Sequence, residues 1–483
     1  MSIRGYICLA VLSSCGRPPV AVALHHGRHL ATAANVPADS KAVKTAEDTS
    51  TASGAFHTAR DLLSPIKHAT RLTEGRALRQ DVWSVFNAVN LPSDCINLGQ
   101  GYMNFPPPDW AREGAQEALC STMGNQYAHP KGIPRLRKAM QNFYGTQFHE
   151  RELDMETEMM VTNGATEGQY AAFTAFVDPG DEVIIMEPFF DQYLQCVVFN
   201  GGVPVFVPLH PNAGDPGKRC KPTWTLDMDT LSRAITPRTK MIVLNTPHNP
   251  IGKVFTREEL EAIAELADKH NLLVISDEVY EHLVYDREHV RFATLPGMWK
   301  RTITVGSAGK LFAATGWRVG WLIGPPALIA PAYAASLRLV YCANTPMQGA
   351  VAVGLEQAGE RGFFETQTNE YKERKAILTD AFERLCLNYT QPEGAYFITV
   401  DVSNLQWPAD YPFPQNIRDR RRDFHAAWFM AMEVGVAPLP LTDFYCDAHA
   451  SINENYIRFS YAKDLNTLRS AAERLQSLKR YLK

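Results

Sequence analysis

Residues 272–280 read Leu272-Leu273-Val274-Ile275-Ser276-Asp277-Glu278-Val279-Tyr280. Four apolar residues in a row, two of them β-branched and with no polar alternation, form the pattern of a strand covered on both faces. The run closes on a carboxylate, Asp277. Outward from this stretch the same kind of short apolar run recurs at Met159–Thr162, Val183–Met186, Val203–Val207, Met241–Leu244, Thr302–Val305 and Val319–Ile323. Amphipathic stretches lie between them. In Thr256–His270, for example, Leu260, Ile263, Ala264 and Ala267 share one helical face. Strand, helix, strand at this spacing predicts an α/β fold: a large domain, residues 120–345, with a mostly parallel seven-stranded sheet covered by helices.

The remainder of the 483 residues divides differently. Residues 1–70 are rich in Ala, Ser, Thr and His and read as a targeting segment and linker. Residues 71–119 and 346–483 are assigned to a smaller α+β domain built from both ends of the chain. Its expected elements are a helical region at Gln348–Leu387, strands near Tyr396–Val400 and Tyr456–Ser460, and a helix at Asp423–Glu433. From Met1 to Pro37 there is no Asp or Glu, while Arg4, Arg17 and Arg28 are present. That is the composition of a mitochondrial transit peptide, which predicts the matrix as the address, with a cytoplasmic form also compatible. The apolar run Tyr6–Leu12 is short, so a secretory signal ranks second. The formal net charge of −4 implies no single-sign field, and neither nucleic acid nor a membrane surface is an expected partner. No run approaches the roughly 20 apolar residues of a membrane span. The nine cysteines are odd in number and form no C-x-x-C, so neither a disulfide framework nor a metal site is expected.

In an open α/β sheet, ligands gather beyond the carboxyl ends of the strands. The residues that follow each run are therefore the candidates for chemistry. They are Asn163-Gly164-Ala165-Thr166-Glu167-Gly168, Glu187-Pro188-Phe189-Phe190, Asn245-Thr246-Pro247-His248-Asn249-Pro250, Asp277-Glu278-Val279-Tyr280 and Gly306-Ser307-Ala308-Gly309-Lys310. Together they supply what a phosphorylated pyridine aldehyde needs. A Gly/Ala/Thr turn opening a helix offers unpaired N–H groups to a phosphate. Ser307 and Arg318 add a hydroxyl and a fixed positive charge. Asp277 can keep a ring nitrogen protonated, and Tyr280 and Asn245 can donate to a ring oxygen. Phe190 can stack on the ring face. Lys310 can form an imine with the aldehyde and then act as a base. Gly306–Lys310 is not a nucleotide phosphate loop, because Leu311 follows the lysine where Ser or Thr is required.

These residues resemble the class I/II aminotransferases of fold type I, which depend on pyridoxal 5'-phosphate. The resemblance rests on Asn245-Thr246-Pro247-His248-Asn249-Pro250-Ile251-Gly252, on Asp277-Glu278-Val279-Tyr280, and on Ser307-Ala308-Gly309-Lys310 with Gly316-Trp317-Arg318. It covers roughly residues 80–483. Within the family the chain is most similar to the group of kynurenine aminotransferases, glutamine transaminase K and cysteine S-conjugate β-lyases, the fungal kynurenine aminotransferases above all. The resemblance implies a Schiff base on Lys310, with Asp277 paired to the ring nitrogen. It implies Asn249 and Tyr280 at the ring oxygen with Asn245 nearby, and Ala165, Thr166, Ser307 and Arg318 on the phosphate. It further implies a homodimer with shared active sites, Tyr127 reaching the partner's phosphate, Arg458 clamping the substrate carboxylate, and Gly101 and Trp83 shaping the substrate pocket. No metal ligand is implied.

The expected activity is transfer of the amino group of kynurenine, or of a related aromatic or glutamine-like amino acid, to a 2-oxo acid such as 2-oxoglutarate. Cleavage of cysteine S-conjugates by β-elimination, or a glutamine–phenylpyruvate type of transamination, would use the same residues. A non-catalytic cofactor-binding regulator is disfavoured, because residues 1–70 carry no helix-turn-helix pattern. Two places differ from animal members: Tyr102-Met103-Asn104 stands where they usually have Phe-Pro-Asp, and Val340–Asn344 lacks their Phe-His pair. Both fall near the expected substrate side chain.

Overall fold

The computed structural model describes residues 69–74, 81–87, 91–148, 151–212, 214, 218–221 and 223–483. The leader and most of the linker assigned to residues 1–70 therefore lie outside the described residues.

All seven expected strands form. They are β1 (Met159–Thr162), β2 (Glu182–Glu187), β3 (Val203–Pro211), β5 (Thr239–Asn245), β6 (Leu273–Asp277), β7 (Thr302–Ser307) and β8 (Gly320–Ile323), joined by an eighth short strand, β4 (Trp224–Leu226). The sheet order is β1-β8-β7-β6-β5-β2-β3-β4. The pairs β3/β2, β2/β5, β5/β6 and β6/β7 are parallel, while β8 runs antiparallel to both its neighbours and β4 antiparallel to β3. Every residue of β2, β6, β7 and β8 is buried, as expected where both faces of a sheet are covered. The extra strand was missed because Trp224–Leu226 is only three residues long and alternates in exposure.

The strand ends set the site. Helix α1 (Gly164–Phe176) opens directly beyond β1. Asn245 and Asp277, the last residues of β5 and β6, are partners in register. Helix α2 (Arg257–Lys269) begins in a capping box, with Thr256 Oγ1 accepting from Glu259 N at 3.2 Å and the Glu259 carboxylate accepting from Thr256 N at 2.9 Å. It buries Leu260, Ile263, Ala264 and Ala267, the face legible from the sequence. Tyr280, by contrast, follows Asp277 in a turn and not in a helix.

The region expected as one long helix is two: α3 (Thr345–Ala358) and α4 (Phe363–Arg384). Gly362 interrupts them with φ +57°, a left-handed conformation that glycine adopts without a Cβ clash. A second sheet has the order β11-β12-β10-β9 followed by Cys220–Lys221, where β9 is Tyr389–Thr390, β10 Phe397–Asp401, β11 Leu439–Pro440 and β12 Tyr456–Ser460. The segment around Cys220 thus leaves the large sheet to pair with β9, although it lies inside the range 120–345. Ile96–Asn97 pairs in parallel with Val436–Ala437, which ties the N-terminal part of the described chain to its C-terminal part. Helix α5 (Arg422–Glu433) packs beside β11.

Candidate active site

Ten of the residues picked out from the sequence line one cavity at the strand ends: Ala165, Thr166, Phe190, Asn245, Asn249, Asp277, Tyr280, Ser307, Lys310 and Arg318. One side of it is the N-terminus of α1. The Asn163 side chain makes no cap hydrogen bond there, so the first-turn N–H groups keep their donor capacity and the helix dipole points into the cavity. Arg318 closes over this turn from a left-handed backbone position, φ +53°. A Cβ on Gly164 would come within 2.6 Å of its guanidinium, so only glycine permits the approach. Helix turn, Ser307 hydroxyl and guanidinium make an anion cradle.

Across the cavity, Asp277 is buried at the end of β6. Its Oδ2 accepts from Tyr193 Oη and from Gln169 Nε2, both at 2.6 Å, and Oδ1 accepts from Val279 N at 3.3 Å. Burial raises its pKa, and these donors and the Lys310 charge oppose the rise without cancelling it. A buried carboxylate fixed by three neutral donors is well suited to a bound cation, such as a protonated ring nitrogen. Lys310 Nζ lies 3.0 Å from Tyr396 Oη, which donates to the Gly101 carbonyl at 2.8 Å. The same Nζ is 5.7 Å from the centroids of the Tyr280 and Tyr396 rings.

Asn245 lines the cavity but spends its amide on the backbone. Nδ2 donates to the carbonyls of Asp277 (2.9 Å) and Pro247 (3.2 Å), and Oδ1 accepts from Asn249 N (2.7 Å). It fixes the turn that carries Asn249. The Asn249 amide oxygen in turn accepts from Arg458 Nη1 at 2.8 Å, while Arg458 Nη2 donates to the Gly99 carbonyl at 2.6 Å. Arg458 is fully buried, with Phe397, Phe444 and Trp83 rings 4.3, 5.1 and 5.5 Å from its guanidinium carbon. Burial pulls its pKa down to about 10, so it stays charged at neutral pH. Its Nε has no partner among the described residues, so the fork retains donors for a carboxylate. Trp83 Nε1 donates to Asp191 Oδ2 at 3.0 Å, which fixes the indole beside the clamp. Gly101 packs so closely on Phe397 and Tyr396 that a Cβ would meet their ring carbons at 2.8 and 3.1 Å.

Tyr127 does not join this cavity. It is 82% exposed and packs edge-to-face on Tyr341 at 5.2 Å, beside a surface hollow lined by Gln126, Cys342 and Asn344. Three residues that sequence reasoning did not single out do join the site, Gln169, Tyr193 and Tyr396, and so does Val279 from the candidate stretch Asp277–Tyr280. Gln169 sits one helical turn beyond Thr166, so helical spacing points to it, and Tyr193 enters from the start of the helix Gln192–Phe199 just after Phe190. Tyr396 comes from the other sheet, and no local pattern announces it.

The family description "Aminotransferase class I and II" matches residues 93–475. The chain belongs to this family. This aminotransferase is 42% identical to a Saccharomyces cerevisiae protein designated a probable kynurenine–oxoglutarate transaminase, over 83% of the chain and 93% of that protein. It is 40% identical to the kynurenine–oxoglutarate transaminase of Dictyostelium discoideum (83% and 94%) and 38% identical to human kynurenine–oxoglutarate transaminase 1 (82% and 95%). Among solved structures, Bna3p of Saccharomyces cerevisiae superposes with a TM-score of 0.81 at 40% identity, over 86% of the chain and all of Bna3p. Thermus thermophilus aspartate aminotransferase with maleate superposes with a TM-score of 0.70 at 31% identity, over 86% of the chain and all of that structure. The fold is that of the pyridoxal-phosphate-dependent aminotransferases, whose substrates are amino acids and 2-oxo acids. The anion cradle, the buried Asp277 and the amine of Lys310 are a chemical match for that cofactor.

Proposed function

We propose that this aminotransferase moves the amino group of kynurenine, or of a related aromatic amino acid, to a 2-oxo acid such as 2-oxoglutarate. The observation that carries the reading is a carboxylate seat, Arg458, walled by the aromatic rings of Trp83, Phe397 and Phe444. The designations of the relatives point to the same donor. In this reading Ala165, Thr166, Ser307 and Arg318 hold the cofactor phosphate, and Phe190 covers the ring. Asp277 faces the ring nitrogen, with Tyr280 and Asn249 at the ring oxygen. When bound, pyridoxal phosphate supplies an aldehyde carbon and an electron-withdrawing ring. Lys310 holds the cofactor covalently at rest, and its freed amine moves the substrate Cα proton. Tyr396 positions that amine by hydrogen bond, and Arg458 orients the substrate through its carboxylate.

The test is a donor screen on the purified holoenzyme with 2-oxoglutarate. Kynurenine should yield an oxo acid that cyclises to kynurenate, at a kcat/KM within about tenfold of the best donor. If kynurenine is inert while another amino acid turns over, the substrate reading is wrong. Pyruvate and ammonia from a cysteine S-conjugate would identify the β-elimination alternative.

The exposed Tyr127–Tyr341 pair further supports a homodimer in which Tyr127 completes the partner's phosphate site. Lys310→Ala and Tyr127→Ala chains, each nearly inactive alone, should then complement when refolded together. Half the dimers would carry one intact site, giving about a quarter of wild-type activity. A mixture no more active than its components would rule out the sharing.

A further inference from the structure

Near the aromatic wall of the seat, three side chains converge that the amino-transfer chemistry does not use. Glu187 ends β2 and is completely buried. Its Oε1 accepts from the backbone N–H of Cys446, and its Oε2 meets Nδ1 of His449. Cys446 and His449 are three residues apart on one turn, with His449 N donating to the Cys446 carbonyl at 3.2 Å. A carboxylate oxygen, a thiol sulfur and an imidazole nitrogen thus lie within 4.8 Å of one another.

We propose that Glu187, Cys446 and His449 form a binding site for one divalent transition metal ion of the zinc type. Cysteine sulfur, imidazole nitrogen and carboxylate oxygen are the three donor types that zinc combines, and three protein ligands leave a fourth position for water. Bond lengths of about 2.0–2.3 Å in a tetrahedron place donor atoms about 3.3–3.7 Å apart. The three donor atoms already lie within 4.8 Å of one another, so only small shifts separate the present arrangement from that spacing. His449 is 35% exposed, so an ion can enter from solvent without unfolding the buried carboxylate. Binding would release the Cys446 proton to solvent as the sulfur–metal bond forms. Oxygen-seeking magnesium and calcium do not fit a site with a thiol and an imidazole. The C-x-x-H spacing of Cys446 and His449 is visible in the sequence, but the third ligand is 259 positions away and only the fold supplies it. The site lies on the segment that carries Phe444, whose carbonyl accepts from Phe189 N at 2.8 Å, so a bound ion would pin the aromatic wall of the substrate seat to the end of β2.

Holoenzyme should be equilibrated with micromolar zinc sulfate and desalted. Bound zinc is then measured by elemental analysis, alongside a Cys446→Ser variant treated identically. The N-terminal stretch also carries Cys8, Cys15, His25 and His26, so the quantity read is the difference between the two proteins. Wild type should hold about one zinc per chain more than Cys446→Ser. In wild type, zinc should also slow alkylation of Cys446 by iodoacetamide at least about tenfold, read by peptide mass spectrometry, and leave the exposed Cys386 unaffected. Magnesium should do neither. Equal zinc in the two proteins, or a Cys446 alkylation rate that zinc does not change, would overturn the site.

Discussion

Lys310→Ala is expected to lower turnover by about 10⁴-fold or more, which is roughly 5.5 kcal/mol of transition-state stabilisation. Lys310 is the one amine lining the cavity among the described residues, so no neighbour can take over a covalent bond or a proton. The other nearby cations, Arg318 and Arg458, are guanidiniums, which offer no nucleophilic amine or general base to the reacting carbon. Tyr396 Oη stands 3.0 Å from Nζ, but its hydrogen is committed to the Gly101 carbonyl. The substitution sits at the edge of the cavity and leaves the sheet intact, so circular dichroism should be unchanged. Borohydride reduction should fix cofactor mass to the Lys310 peptide in wild type and to no peptide in the variant. Rates within tenfold of wild type, or cofactor trapped on another lysine, would remove Lys310 from the chemistry.

Asp277→Asn separates activity from stability. Burial raises the Asp277 pKa, so in the cofactor-free protein the ionised form is a cost that sets in as pH rises through the folded pKa and vanishes below the unfolded one. Removing the charge should therefore leave the melting temperature of the apo-protein at neutral pH unchanged or higher. In the proposed reading, the same carboxylate faces a cation once the cofactor is bound. Losing one partner of a buried charge pair costs about 3–5 kcal/mol, or about 10²–10⁴-fold in kcat. Tyr193 and Gln169 can still donate to the asparagine oxygen, so the geometry is retained. A variant that keeps wild-type kcat, or that loses activity only because its apo-form melts several degrees lower, contradicts the assignment.

Much of this architecture could be read from the chain because its strands are buried on both faces. Runs such as Ile184-Ile185-Met186 and Leu273-Val274-Ile275 have no solvent side to encode, so they stand out as uninterrupted apolar stretches closed by polar residues. Nine of the ten cavity residues were legible for the same reason: each ends or follows such a run within a few positions, while Arg318 stands immediately before one. What stayed hidden depends on long-range closure. Tyr396 meets Lys310 only because β10 is brought over the strand ends, and Glu187 meets His449 only across 262 positions. The Gly362 break was missed because α3 and α4 are both apolar enough on one face to read as a continuous helix. Asn245 shows the limit of residue chemistry alone. Its amide suits a ligand, yet the backbone claims both of its ends.

The hydrogen bond from Arg458 to the Asn249 side chain has a thermodynamic corollary. In the proposed reading one amide would sit between two occupants, the prosthetic ring on one side and the incoming acid on the other. On that reading, whatever tightens the guanidinium's grip on a carboxylate would alter its hold on that amide, and by linkage any effect of the bound acid on ring affinity would be matched by an equal effect of the ring on acid affinity. Cofactor loading and acid affinity would then be two readings of a single coupled balance, and titrating either one should reveal the other.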